Sequence, residues 1–181
     1  DYLYSFSSLK DLADFFVVNV SSPNTPNLRQ LQDKAALGEI LAALQEANDA
    51  QRPILVKVAP DLGFDALDEI LELIEPHNLA GLVATNTTIA RPSEDGLFAE
   101  TGGMSGRPLA KRSTEVIRHL YQQTKGAVPL SQPYDREHDQ YHRFWLVAHA
   151  LVAFLPDCGL LLEFGVAHGS SATLTGGILE N

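Results

Sequence analysis

The stretch Val17-Val18-Asn19-Val20-Ser21-Ser22-Pro23-Asn24-Thr25-Pro26 decides how this chain is interpreted, because an apolar run ends there in a cluster of uncharged hydrogen-bonding side chains. An apolar strand does not require such an ending. A flat polar heterocycle does require it, since recognition needs amide donors and acceptors that carry no charge of their own. We therefore predict a small-molecule site at the end of this strand.

The same pattern recurs further along the chain. In Leu82-Val83-Ala84-Thr85-Asn86-Thr87-Thr88, asparagine and threonine again follow a short hydrophobic run. Between the two stretches, Ile54-Leu55-Val56-Lys57-Val58-Ala59-Pro60 places a lysine inside a predicted strand. Burial of an unpaired ammonium is costly, so we expect Lys57 to have a ligand as its partner.

The apolar patterns predict the order strand, helix, strand, helix, strand, helix, which indicates an α/β fold with parallel strands joined by crossover helices. The first helix is predicted to begin near Asp33, and the second to cover residues 65–75 and end at Pro76. The third helix is predicted to have Ser113 as its N-cap and Gly126 as its left-handed C-cap. Lys125 is predicted to offset the negative end of the helix dipole at the C-terminus. The residues predicted to face the core are Leu37, Ile40, Leu41, Leu44, Leu67, Ile70, Leu71, Ile74, Val116, Ile117, Leu120 and Tyr121.

Composition limits the possible functions. The chain has 181 residues, 45% of them hydrophobic, which suffices for a globular domain with a core. Its net charge of -10 argues against nucleic-acid binding, which requires a basic face. The single cysteine, Cys158, excludes an intramolecular disulfide and fits a reducing compartment. We recognise no signal peptide, and the apolar stretch 144–155 is too short to span a bilayer, so it is predicted to be a buried amphipathic helix.

Several motifs together resemble the quinone-dependent (class 2) dihydroorotate dehydrogenases. They are Asn19-Val20-Ser21-Ser22-Pro23-Asn24-Thr25-Pro26 with Leu28-Arg29, Val56-Lys57-Val58-Ala59-Pro60-Asp61-Leu62, Ala84-Thr85-Asn86-Thr87-Thr88, Gly102-Gly103-Met104-Ser105-Gly106-Arg107-Pro108-Leu109, and Ser113-Thr114-Glu115-Val116-Ile117. The resemblance extends over residues 1–129. The family usually has glycine where this chain has Asn27, and asparagine tolerates the left-handed backbone that glycine would adopt there.

The resemblance implies a (β/α)₈ barrel whose active site lies at the carboxyl ends of the strands. About three β/α units are recognisable. We therefore expect residues 1–130 to form a partial barrel, without the opening units, the closing units and the flavin phosphate cradle, and residues 131–181 to form an unrelated tail. The resemblance also implies a peripheral location on the cytoplasmic side of the inner membrane, with membrane association through segments that we do not find in this chain.

The resemblance further implies FMN-dependent oxidation of dihydroorotate to orotate, with quinone as the second substrate. Ser22 corresponds to the catalytic base, and Thr25 is the local candidate for a proton relay. Class 1 relatives use cysteine as the base, so the serine favours class 2. The implied substrate-binding residues are Asn19, Asn24, Asn86 and Thr87. The implied FMN-binding residues are Lys57, Thr85, Ser105 and Gly106, and no metal site is implied.

Simpler interpretations of the same residues stay open. Ser22, Asn19 and Asn24 suit an ordinary cap-and-turn cluster. Lys57 suits an edge lysine with a buried stem and a solvated head. The glycines at positions 102, 103 and 106 suit loop punctuation. At the level of function, the alternative to an enzyme is a non-catalytic truncated or fused remnant.

Residues 131–181 carry two weaker patterns. His138 and His142 have a spacing that can bind zinc on a helix, although a solvated charged face explains them better because no third ligand is clear. The segment Gly159-Leu160-Leu161-Leu162-Glu163-Phe164-Gly165-Val166-Ala167-His168-Gly169 resembles the first motif of class I S-adenosylmethionine-dependent methyltransferases. A methyltransferase fragment is therefore a further alternative.

Overall fold

Parallel strands alternate with helices in a computed structural model that describes residues 1–93, 98 and 100–131. In chain order the elements are α1 (Tyr2–Leu9), β1 (Phe16–Asn19), a 3₁₀ helix (Leu28–Gln32), α2 (Lys34–Glu46), β2 (Ile54–Val58), α3 (Phe64–Leu71), β3 (Gly81–Ala84), α4 (Arg107–Thr124) and β4 (Leu130–Ser131). The strands lie in one sheet in the order β1-β2-β3-β4, and all three pairs are parallel. The predicted α/β fold is confirmed.

Alternate strand residues divide between the two faces of the sheet, as the period of a β-strand requires. Val18, Val56 and Leu82 belong to the main core, which the helices cover. Val17 and Leu55 belong to a second, smaller cluster on the other face. Because both faces are buried, the strands read as continuous apolar runs, which is typical of parallel sheets.

Helix α2 forms as the sequence predicts. The Asp33 carboxylate caps it by accepting hydrogen bonds from the backbone N–H groups of Ala35 (3.0 Å) and Ala36 (3.4 Å). Leu37, Leu41 and Leu44 are buried, and Ile40 is partly buried against the same core. The cap satisfies two of the N–H groups that every helix N-terminus leaves without an intrahelical partner.

The predicted end of the second helix is wrong. Helix α3 ends at Leu71 instead of residue 75, because the chain tightens into turns in which Leu73 N–H donates to the carbonyl of Ile70 (3.0 Å) and Ile74 N–H to that of Leu71 (3.1 Å). The tightening changes which side chains face inward. Leu73 becomes buried, while Leu71 and Ile74 are only partly buried.

The predicted start of the third helix is also wrong. Helix α4 has Gly106 as its N-cap and proline in its first turn, and Ser113 is buried in its interior. Val116 and Leu120 face the core, whereas Tyr121 is 59% exposed. The left-handed turn at its end, which was predicted for Gly126 alone, also includes Lys125.

The expected left-handed conformation at Asn27 is confirmed, with φ 61°. Within the described ranges, none of the helices combines the length and apolar character needed to cross a bilayer. Several predictions lie outside the described residues: the helix at 144–155, the histidine pair at 138 and 142, Cys158, and the methyltransferase-like segment.

Candidate active site

Hydrogen bonds join the two asparagine-containing motifs at the carboxyl ends of β1 and β3. The Asn86 Nδ2 group donates to the Asn19 Oδ1 atom (3.2 Å) and to the Ser21 hydroxyl oxygen (2.9 Å). The Ser21 hydroxyl in turn donates to Asn19 Oδ1 (3.0 Å). Asn19 and Ser21 are buried and Asn86 is partly buried. The network therefore fixes amide groups of two predicted substrate-binding residues beside each other.

The loop that follows β1 carries Ser22, Asn24 and Thr25. The Ser22 hydroxyl oxygen accepts a hydrogen bond from Asn24 N–H (3.3 Å), and the Thr25 carbonyl accepts one from Leu28 N–H (3.2 Å). The turn expected from the simpler interpretation is therefore present. Ser22 and Thr25 are partly buried and Asn24 is exposed. A turn that holds a serine hydroxyl in place is compatible with a site at the same residues.

Gly103 packs closely against this loop. A Cβ atom at position 103 would lie 1.9 Å from Thr87 Oγ1 and 2.8 Å from Pro23 Cγ, so no larger residue fits without a shift. Gly102 has φ 109°, and a Cβ atom there would lie 3.4 Å from Asn24 Oδ1. Gly103 is therefore required for close packing, in addition to lying in a loop. Glycine at this position lets the segment before α4 contact both the loop after β1, through Pro23, and the loop after β3, through Thr87.

Lys57 lies opposite Asn19 in the register of β1 and β2. The lysine is only partly buried, and it is not without a partner in the chain. The premise that Lys57 is fully buried is therefore wrong, and the contact of Lys57 with a ligand stays a prediction. The position of Lys57 near the carboxyl end of β2 still places it beside the asparagine network.

The remaining predicted cofactor residues lie around α4. Thr85 is buried, and its hydroxyl donates to the Ser113 hydroxyl oxygen of α4 (3.4 Å). Ser105 and Gly106 are exposed just before that helix. Gly106 has φ 79°, and a Cβ atom there would meet nothing within 4 Å. The hydrogen bonds thus connect Asn19 and Asn86 to each other, while Thr85 is directed towards α4.

Sequence reasoning missed four side chains that hold this region together. Ser21 bridges the two asparagines, as described above, and Arg29, Asp61 and Arg112 form contacts between the loops. The only available signal was that Ser21, Arg29 and Asp61 occur within the matching motifs. Each of the four also has a partner that is distant in the sequence, so the motifs alone did not predict these contacts.

A groove of about 470 Å³ runs beside these loops, between the segments that follow β2 and β3 and the start of α4. Asp61, Thr88 and Arg112 contribute to its lining. It therefore borders the same group of loops as the asparagine network. In the described part of the chain, no group of three or more histidine, cysteine or acidic side chains is placed to hold a metal ion.

A parallel β/α sheet with polar side chains gathered at the carboxyl ends of its strands defines the class of α/β proteins with a small-molecule site at that end, and β/α barrels belong to this class. Residues 1–131 match the sequence model of the family described as Dihydroorotate dehydrogenase. The chain belongs to the dihydroorotate dehydrogenase family. The resemblance drawn from the motifs is therefore confirmed.

Individual relatives agree. Dihydroorotate dehydrogenase (quinone) of Gloeobacter violaceus is 59% identical over 130 residues, covering 72% of this chain and 37% of that protein. The Nostoc punctiforme protein of the same name is 54% identical over 142 residues, with the same coverage of 72% and 37%. The chain thus spans little more than a third of the length of these curated relatives.

Solved structures support the fold. Eimeria tenella DHODH in complex with ferulenol has a TM-score of 0.69 and 34% identity, covering 76% of this chain and 43% of that one. The ligand-free Eimeria tenella structure has a TM-score of 0.66 and 33% identity, with coverage of 73% and 42%. The sheet is therefore part of a dihydroorotate dehydrogenase barrel.

Proposed function

We propose that this chain carries the substrate-oxidising site of a quinone-dependent dihydroorotate dehydrogenase, which converts dihydroorotate to orotate with FMN as cofactor and quinone as second substrate. The observation that carries the proposal is the network of Asn19, Ser21 and Asn86 at the carboxyl ends of two strands. Orotate is a flat heterocycle with imide groups, and uncharged amides are suited to bind it.

Proton removal is assigned to Ser22. Oxidation of dihydroorotate removes a proton from C5 and a hydride from C6, so one residue must accept the C5 proton. A serine hydroxyl is a weak base and needs a relay to pass the proton on. Thr25, in the same loop, is proposed to hold a water molecule against Ser22 for this purpose. The turn around Ser22 limits the directions in which its hydroxyl can point.

Substrate binding is assigned to Asn19, Asn24, Asn86 and Thr87, which would contact the carboxylate and imide edges of orotate. Thr87 N–H donates to the Asn86 Oδ1 atom (2.8 Å), so the two residues hold each other in place. The Asn24 Oδ1 atom lies close to Gly102, in the segment before α4. Fixed amides lose little conformational freedom when a ligand binds, which favours affinity and orientation.

The residues present fit FMN. Lys57 would offer positive charge to the N1/O2 edge of the flavin, where negative charge develops on reduction. Thr85, Ser105 and Gly106 would contact the isoalloxazine ring or the ribityl chain, and Gly106 has open space beside its Cα atom. When bound, FMN would supply the acceptor for the hydride from C6. A peripheral location on the cytoplasmic side of the inner membrane, where quinone is available, belongs to the same proposal.

The experiment is a segment exchange. Residues 1–130 of this chain replace the matching 130 residues of the Gloeobacter violaceus relative, to which they are 59% identical. The purified chimera is expected to contain FMN by absorbance, and dihydroorotate is expected to bleach the flavin under anaerobic conditions. The unmodified relative is the positive control. A chimera that folds and binds FMN but is not reduced by dihydroorotate would contradict the proposal and favour a non-catalytic remnant.

A further inference from the structure

The guanidinium of Arg29 connects the loops that follow three different strands. Its Nε group donates to the Ser21 carbonyl (3.2 Å), Nη1 to the Asp61 carboxylate (2.7 Å), and Nη2 to the Thr87 carbonyl (2.9 Å). These acceptors lie after β1, β2 and β3 respectively. A planar guanidinium presents its donors in fixed directions, so one rigid group determines how far apart the three acceptors on the three loops lie.

The acceptor on the middle loop is itself held in place. Arg112 of α4 donates from Nε to the Pro60 carbonyl (2.8 Å) and from Nη2 to the Leu62 carbonyl (2.7 Å), gripping the backbone on both sides of Asp61. The Asp61 carboxylate also accepts from the Thr88 hydroxyl and from Ile89 N–H (3.1 Å). Asp61 is thus held in place and binds both Arg29 and the loop after β3.

The Arg29–Asp61 pair is sheltered from solvent. The two side chains are 21% and 22% exposed, so water and salt screen the pair less than an ordinary surface ion pair. Hydrogen bonds to charged groups are stronger than neutral ones. The arrangement is therefore suited to hold backbone positions, which a mobile surface pair does not do.

We propose that Arg29 is a positioning residue that sets the distance between the loop carrying Ser22 and the loop carrying Asn86 and Thr87. The Ser21 carbonyl that it binds directly precedes Ser22, and the Thr87 carbonyl belongs to a residue assigned to substrate binding. The inference rests on the proposed function. It implies that one side chain that contacts neither substrate nor cofactor acts together with the hydrogen bonds from Asn86 to Asn19 and Ser21 to keep the base and the substrate-binding amides in place.

The test is amide hydrogen exchange on the full 181-residue chain, measured by mass spectrometry without ligand. Arg29→Lys keeps the positive charge but loses the planar guanidinium that donates in three fixed directions. Amide exchange at Ser21 and Ile89 should then become about tenfold faster, the factor expected when one charge-assisted hydrogen bond is lost. Arg52→Lys is the matched control. Arg52 lies just before β2, and its Nε group donates to the carbonyl of Lys10 (3.1 Å), which lies before β1, so this contact is at the end of the sheet away from these loops.

Asp61→Asn is a second variant that keeps the shape of the side chain but removes its charge. It should also speed exchange at Ser21 and Ile89, while exchange at Val56 in the centre of the sheet stays unchanged in both variants. Unchanged loop exchange in Arg29→Lys would overturn the inference. Faster exchange at Val56 as well would also overturn it, because Arg29 would then support the fold in general. Failure of the proposed function shows separately, as absent flavin reduction in the chimera with Arg29 in place.

Discussion

At the scale of single residues, Ser22 is the side chain on which the proposed chemistry depends most. In the chimera, Ser22→Ala should leave FMN bound while its reduction by dihydroorotate slows by about 10²–10⁴-fold, the usual contribution of a positioned base. Stopped-flow absorbance measures the rate. Ser8→Ala serves as control, because Ser8 is exposed on α1 and donates to the Tyr4 carbonyl (2.8 Å). An unchanged rate in Ser22→Ala would remove the serine from the mechanism.

Lys57 should affect the flavin rather than the substrate. Lys57→Met keeps an unbranched side chain but deletes the charge, so it should lower FMN affinity or the reduction potential of the bound flavin. Flavin content and a redox titration of the chimera provide the measurement, with the exposed Lys111→Met as control. A variant with unchanged flavin content and potential would show that Lys57 has a structural role only.

Some of the site was predictable from single residues and some was not. The meeting of Asn19 with Asn86 followed from the rule that parallel strands end at one edge. The left-handed Asn27 followed from the resemblance, because the family usually has glycine at this position and asparagine tolerates the same backbone conformation. The position of Lys57 opposite Asn19 was not predicted, because the sequence of one strand does not show which residue of the neighbouring strand lies beside a given side chain. Nor were the roles of Arg29 and Arg112, whose acceptors come from distant parts of the chain.

At the scale of secondary structure, helix α2 was predictable because its cap and its apolar spacing agree. The ends of α3 and α4 were not predicted correctly. After Leu71 the chain tightens to bury Leu73, and this outcome depends on packing rather than on local propensity. For α4, a signal was available in Pro108, since proline in the first turn is typical of helix starts.

Helix α1 supports the site through Tyr2, whose hydroxyl donates to the Asn19 carbonyl at the end of β1 (2.9 Å). Tyr2→Phe should lower the free energy of unfolding of the chain by about 1 kcal/mol at neutral pH, the usual net value of one hydrogen bond. Urea unfolding followed by circular dichroism measures the change. Tyr4→Phe is the control, because Tyr4 is 79% exposed on the same helix.

The same tyrosine predicts a dependence on alkaline pH. Burial raises the pKa of the Tyr2 hydroxyl, so the native chain keeps this proton at a pH where the unfolded chain has lost it. The contribution of Tyr2 to stability is therefore complete below about pH 10 and is lost as pH rises through the native pKa. The stability difference between wild type and Tyr2→Phe should stay constant up to about pH 10 and shrink over the pH interval above it. A difference that stays constant over this interval would contradict the burial effect.

At the scale of the whole molecule, we predict that the 181-residue chain expressed alone does not turn over dihydroorotate. The described part of the chain contains a sheet of four strands, whereas a β/α barrel closes with eight. The chain also spans 37% of the length of its Gloeobacter violaceus relative. The base accelerates the reaction only when the base and the flavin are held on opposite faces of the substrate, and that requires the closed barrel.

The assay is dye reduction by the purified chain with added FMN, dihydroorotate and a quinone. Ser22→Ala of the same chain is the control, so that any background reduction is subtracted. Turnover clearly above this control would overturn the prediction. It would mean that residues 132–181, or a second copy of the chain, complete the site.

The order of strands in the sheet is the same as their order in the chain, and this has a consequence for synthesis on the ribosome. Each strand pairs with the strand made just before it, so the β1–β2 pair can form before α4 has been translated. Later strands then add to a sheet edge that already exists, and no earlier pair has to open to admit them. The loops that follow β1, β2 and β3 can therefore take their places at the sheet edge one after another, in the order in which they are made.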